Sequence, residues 1–314
     1  MRFGAVTAGT KVDDEPSQAV AGVSRGSAGA KPLPALQPTR EAANPAARKT
    51  GTDMLLTREL NEAIRLSEIA GICSGIATVQ RLYPSASAES IEIAGGLVAF
   101  TGIDSPLSQA YGIAVSMPLA EDEIARITEF YESRGATPRI FVTPFSDSGL
   151  ARGLAAAGYA PSEYENVLAS DDLASHARRD ERIGAATDLA AWSRASAQAF
   201  MDGAAAPSDE VIAGILSSSK GVIALEGREG AAIVATAAMD VRGECAAFFA
   251  GSTLPEHRGC GWHRAMIADR IARARDAGAR LLRATARPAS SSERNFLRCG
   301  FRTLYTRALW ERSG

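Results

Sequence analysis

The sequence predicts a mixed α/β protein built from two related halves. Three observations predict it: an internal repeat, alternating helix-like and strand-like runs around that repeat, and an ordinary globular composition. The chain has 314 residues, 46% hydrophobic and 22% charged. At about 100–200 residues per domain, that length suits two domains. The net charge of −2 leaves no basic excess to neutralise a nucleic-acid backbone. No run approaches the ~18 uninterrupted apolar residues of a membrane span. Cys73, Cys245, Cys260 and Cys299 are widely spaced without a CxxC pair, which argues against a disulfide scaffold and for a reducing cytoplasm.

Residues 1–53 are rich in Ala, Gly, Pro and Ser, with Phe3 as their one aromatic. Such a segment buries too little apolar area to offset its chain entropy, so it reads as a disordered tail. It lacks the apolar run of a signal peptide.

The repeat organises the rest. In the first copy, Gly135-Ala136 leads into an apolar run from Pro138 to Pro144. A helix-like piece then ends at Gly158-Tyr159, and a strand-like run, Glu163 to Leu168, follows. In the second, Gly278-Ala279 leads into Leu281–Ala286, a helix-like piece ending at Gly300-Phe301, and Tyr305–Trp310. The paired glycines are 23 and 22 positions apart. Both Gly–aromatic steps fit a helix end followed by a strand. The predicted domains are therefore residues 54–172 and 180–314.

In the second half, Arg182–Thr187 is a short strand and Asp188–Met201 a helix, with Leu189, Trp192, Ala199 and Phe200 near one face. Pro207 opens another helix. Three strands follow at Gly221–Glu226, Ala231–Val241 and Cys245–Leu254, with turns at Gly227–Gly230 and Arg242-Gly243. Trp262–Asp276 is a helix with Ile267, Ile271 and Ala274 at helical spacing. After the strand at Leu281–Ala286, Ser290 and Glu293 have capping-box spacing. The order is β-α-α-β-β-β-α-β-α-β.

The halves differ at one place. Pro118 to Gly135 spans 17 positions, whereas Pro255 to Gly278 spans 23. The extra length holds His257-Arg258-Gly259-Cys260-Gly261-Trp262-His263, which assigns the chemistry to the second copy. A helix N-terminus offers about four unpaired N–H groups and partial positive charge, and glycines admit a ligand close to the backbone. Together they favour a phosphate or pyrophosphate, with Arg258 adding charge. The run matches neither GxxxxGK[ST] nor GxGxxG. His257, Cys260 and His263 are spaced by three, but a structural zinc site takes four close ligands and only distant Cys299 remains, so no metal is expected.

Strand, Arg258-Gly259-Cys260-Gly261-Trp262-His263 and helix resemble the GCN5-related N-acetyltransferase (GNAT) superfamily, whose signature is [QR]-x-x-G-x-[GA]. The lead-in Leu254-Pro255-Glu256-His257, and Asn295 followed by Cys299-Gly300-Phe301, are similar too. His263 departs from the final Gly/Ala. The first half resembles a degenerate GNAT module without the pyrophosphate turn.

The resemblance implies two GNAT-like domains, each a mostly antiparallel sheet flanked by helices, with a splayed parallel strand pair in the second. It implies acetyl-CoA as co-substrate. The pyrophosphate would lie on the amides of Gly259, Cys260, Gly261, Trp262 and His263, and the pantetheine arm along Ser252, Thr253 and Leu254 and near Asn295. The acetyl group would pass to an amine of a small molecule or peptide by direct attack in a ternary complex. The family's acidic Tyr is Phe296 here, and Tyr305 is the nearest replacement for protonating the thiolate. Glu226, Asp240 and Glu244 are base candidates at strand ends. A second class of function stays open: a non-catalytic acyl-CoA sensor or interaction protein, favoured by His263 and Phe296. The paired halves suit either a shaped acceptor cleft or a homodimer surface.

Overall fold

A computed structural model describes residues 54, 56–103 and 105–312. The tail predicted over 1–53 lies outside the described residues. The first half supplies α1 (Arg58–Leu82), β1 (Glu89–Ile93), β2 (Gly96–Phe100), β3 (Ala110–Tyr111), α2 (Glu123–Glu132), β4 (Arg139–Val142), α3 (Ser148–Ala156) and β5 (Tyr159–Ser170). The second supplies β6 (Ile183–Ala185), α4 (Leu189–Phe200), α5 (Pro207–Ser218), β7 (Val222–Glu229), β8 (Ala232–Arg242), β9 (Cys245–Thr253), α6 (Trp262–Asp276), β10 (Leu281–Ala286), α7 (Ser291–Arg298) and β11 (Arg302–Arg312).

The local signals act as their chemistry requires. The Asp188 carboxylate caps α4 by accepting from the amides of Ala190 and Ala191. Ser290 caps α7 by accepting from the Glu293 amide. One turn is shorter than the sequence suggests, because β7 continues through Gly227 and Arg228 to Glu229. Arg228 holds that extension: its Nε donates to Glu226 Oε1 at 2.8 Å and its Nη1 to the Ala231 carbonyl at 2.7 Å.

The eleven strands of the described residues form one mixed sheet in the order β1-β2-β3-β4-β11-β5-β10-β9-β8-β7-β6. Each half is mostly antiparallel and holds one parallel pair, β3 with β4 and β9 with β10. The repeat units β4-α3-β5 and β10-α7-β11 exchange their last strands: β11 pairs with β4, and β5 with β10. Asn166 to Ala169 of β5 are paired on both sides, and that stretch is buried, while the preceding residues 160–164 are exposed. Helices α1, α4 and α5 cover one face. The other face carries α2 and α3 over the first half and α6 and α7 over the second. No helix among the described residues is long and apolar enough to cross a membrane.

A buried ion cluster crosses the exchange. Arg307 of β11 is 6% exposed. Its Nη1 and Nη2 donate to the two Glu68 oxygens of α1 at 2.8 and 2.9 Å, and its Nη2 and Nε to Glu165 of β5 at 2.7 and 2.9 Å. Burial pushes the Glu68 carboxyl up, but the charge and hydrogen bonds of Arg307, helped by Arg283, outweigh it and hold the carboxyl below its usual range. A carboxyl depressed in the folded state stabilises the fold fully above its unfolded pKa, and loses that contribution as pH falls through the folded value.

Two outcomes follow from this architecture. Arg307→Met leaves two partly buried carboxylates without their shared cation, so urea denaturation at pH 7 should show a loss of about 1.5–3 kcal/mol, narrowing against wild type as acid protonates Glu68. An unchanged midpoint at pH 7 contradicts that. Expressed as separate chains, residues 54–175 and 176–314 should copurify as one complex, because each lacks the strand its own β4 or β10 pairs with. Two independently folded monomers contradict the exchange.

Candidate functional site

β9 and β10 run in parallel register only from Cys245/Leu281 to Phe248/Ala284. Beyond that point β9 follows β8 to Thr253 while β10 stays beside β5, so the two strands part. The parting coincides with a bulge. The β8–β9 register slips between Thr236 and Ala238, and Ala250 sits at φ +49°, a left-handed conformation that non-glycine residues adopt only under constraint.

The constraint comes from α6. Arg270 is fully buried, and its Nη1 donates to the carbonyls of Ala238 at 3.2 Å and Phe249 at 3.3 Å, one on each strand of the slipped register. Its Nε donates to the Met266 carbonyl at 3.1 Å, and the guanidinium lies 4.7 Å above the Phe248 ring. Nη2 has no partner among the described residues. Burial pulls the pKa of Arg270 down to about 9, against the opposite effect of Asp269 and Cys299, which leaves the side chain charged at neutral pH.

Past β9, the chain turns at Gly259 and Gly261, with φ of +78° and +84°, and enters α6 at Trp262. A Cβ at either glycine would meet nothing within 4 Å, so the turn stands open. The α6 N-terminus has no side-chain cap. Among the described residues, the amides of Gly259 through Arg264 donate to no internal acceptor. Unpaired amides, the positive end of a helix dipole and open space suit a phosphate or pyrophosphate. Glu229 braces both flanks, accepting from the Trp262 indole at 3.0 Å and lying 3.3 Å from His257 Nδ1. Cys260 is exposed at the tip.

Arg258 does not point at this opening. Its Nη2 donates to the Ala199 carbonyl at 2.8 Å and meets Asp202 at 2.6 Å, and its Nε donates to the Thr253 carbonyl at 3.2 Å. It ties the end of β9 to the end of α4. Leu254 donates its amide to Val234, and the Ser252 hydroxyl bonds Thr236 at 2.7 Å, so both belong to the β8 side. The Thr253 hydroxyl is buried without a partner among the described residues.

His263 and Asn295 come together. The imidazole Nδ1 lies 3.2 Å from Asn295 Nδ2, and the ring stands edge-on to Phe296. With the Asn295 amide nitrogen as the donor, Nδ1 accepts. Burial first, then the Arg270 charge, push the pKa of His263 down to about 4, which keeps the ring neutral. On the other side, a Cβ on Gly251 would stand 3.3 Å from Nε2 and 3.4 Å from Arg270 Nη2. The ring thus reaches from α7 to β9 across the gap that opens where β9 and β10 part. The turn fits a pyrophosphate, whereas the gap beyond it is filled by this imidazole.

Tyr305 stands elsewhere. It lies on β11, separated from β9 by β10 and β5, and lines a crevice with Asn61, Arg65, Glu68, Phe141 and Thr143. Burial pushes its pKa up to about 12. Of the base candidates, Glu226 is buried, with Oε1 held by Arg228 and Oε2 unpartnered among the described residues. It shares a row with Thr236 and Ser252, the part of β9 beyond the parting. Asp240 is also buried, with Oδ1 unpartnered among the described residues, but its row passes through Ala247, where the strands are still joined. Glu244 pairs with Arg280 just before β9, at the closed end.

Sequence reading missed Arg270 and Gly251. Arg270 had a signal: Met266, Arg270 and Ala274 are spaced by four, which puts a charge on the buried stripe of α6. Gly251 had none, because its need comes from side chains of a later helix.

No family model matches this sequence, and no curated protein does. Solved structures do. The GCN5-related N-acetyltransferase from Kribbella flavida superposes with a TM-score of 0.55 at 19% identity, over 77% of this chain and 95% of that one. That share of this chain exceeds either half, so the likeness spans both. A functionally unknown conserved protein from Staphylococcus epidermidis superposes with a TM-score of 0.50 at 14% identity, over 74% of this chain and 96% of that one. The chain has the GNAT fold.

Proposed function

We propose that the protein is an acetyl-CoA-dependent N-acetyltransferase whose site lies in the second half, acting on an amine of a small molecule or peptide. The observation that carries this reading is the open turn at Gly259–Gly261, with its unpaired amides, beside a strand pair that parts at a bulge. Acetyl-CoA would supply the activated acetyl group. The amides of residues 259–264 would hold its pyrophosphate, and Asn295 stands where the arm would pass. Glu226 is the base this reading favours. Its free oxygen is buried, and its row leads to Ser252 at the open end, which suits taking a proton from an acceptor ammonium. Tyr305 sits too far across the sheet to serve as the acid for this site.

The second reading, a non-catalytic acyl-CoA binder, draws on the His263 ring in the gap and on Phe296 beside it. Thiol release separates the two, since an enzyme liberates free CoA in the presence of an amine and a sensor does not.

Calorimetric titration with acetyl-CoA should show saturable binding. Gly261→Glu should abolish it by setting a carboxylate at the mouth of the turn. The positive φ there costs a side chain about 1–2 kcal/mol, so the fold should persist, as circular dichroism would verify. Equal affinity in wild type and variant contradicts the site.

A further inference from the structure

The residue at which the turn departs from its signature also fills the gap behind the turn. We propose that His263 is the gatekeeper of the cleft: its imidazole occupies the passage between β9 and α7, so a ligand bearing a long arm on its pyrophosphate enters only when the ring leaves. The proposal rests on the reading of the cleft as a CoA site.

Three neighbours place the ring: Nδ1 is held by Asn295 at 3.2 Å, Phe296 of α7 meets it edge-on at a centroid distance of 5.9 Å, and Nε2 faces Gly251, which Arg270 Nη2 also approaches. Gly251 is, with Ala250, one of the two β9 residues of the bulge, three positions beyond the last pair with β10. A side chain on Gly251 would crowd both Nε2 and Nη2, so the absence of a Cβ there is what lets the ring lie down. The amides of the turn are untouched by this arrangement, because the imidazole points inward, away from the open side of Gly259 and Gly261. The two parts of the cleft are thereby separated: the pyrophosphate end stands open, and the arm end is closed.

The ring is held by one neutral hydrogen bond to Asn295, a contact worth about 0.5–1.5 kcal/mol, together with its packing. That is a modest hold, and a ligand that makes its own bond to Asn295 competes for it directly. His263 therefore sets which ligands the cleft takes, and how tightly. A pyrophosphate without an arm is indifferent to the ring, and an arm-bearing one must displace it.

The test compares wild type, His263→Ala and His263→Gln in the full chain. Alanine removes the ring on a helix it favours, while glutamine keeps bulk and a partner for Asn295. Calorimetry would use desulfo-CoA, which carries the arm, and ADP, which has the adenosine and diphosphate without the arm. Desulfo-CoA should bind His263→Ala at least tenfold more tightly than wild type and bind His263→Gln within threefold of wild type. ADP should bind all three within twofold. Equal desulfo-CoA affinity in wild type and His263→Ala overturns the gate and leaves the CoA reading standing. A parallel gain for ADP overturns it as well, since the ring would then act on the turn rather than on the arm. No desulfo-CoA binding by any of the three overturns both the gate and the reading beneath it. Thermal unfolding of His263→Ala checks that a lost site is not a lost fold, and His263→Ser, smaller and polar, repeats the comparison if alanine unfolds.

Discussion

Residues Asn166 to Ala169 of β5 give their backbone groups to β10 on one side and β11 on the other, and both partners come from the far end of the sequence. Most of what stands around the candidate site depends on this double pairing. β10 has a neighbour on its inner side only because β5 is there, and its freedom to part from β9 on the outer side is secure for that reason. A strand with one edge fixed can let the other edge open without fraying. The exchange of last strands thus produces, from two copies of one unit, a sheet whose middle strand is paired on both sides and beside which β9 and β10 part.

The same strand reaches the cleft through side chains. Asn166 Nδ2 donates to Glu293 Oε1 at 2.6 Å, and Asn166 Oδ1 accepts from the Thr306 hydroxyl at 2.6 Å. Glu293 Oε2 accepts from the Ala289 amide, and the Thr303 hydroxyl reaches Oε1. Glu293 is in the first turn of α7, two residues before Asn295. A residue of the first half therefore fixes the helix that presents Asn295 to His263. On the outer side, Arg270 clamps the bulge of β9 from α6. The cleft is walled by two helices, each held by a buried polar group reaching across the fold.

Much of this was legible in the sequence, and the reason is local chemistry. Trp262–Asp276 and Leu281–Ala286 begin and end where read, because Gly261, Gly278 and Pro288 mark those boundaries within a few residues. Gly259 and Gly261 announced the turn for the same reason. The strand exchange was not legible. Nothing within β5 or β11 says whose edge it joins; that choice is made by partners over a hundred residues away. Tyr305 was misplaced by this alone, since proximity in sequence to α7 put it near a site from which β5 and β10 separate it. The rotamer of His263 was equally hidden, because it depends on Gly251, Asn295 and Arg270 together.

Backbone hydrogen exchange on the full chain, with and without millimolar desulfo-CoA, tests most directly whether the parting of β9 and β10 and the turn above it form the ligand site. Slower exchange at residues 259–264 and at the end of β9, with β3 and β4 unchanged, is the predicted result. Unchanged exchange at 259–264, or protection appearing instead around the Tyr305 crevice, contradicts the account.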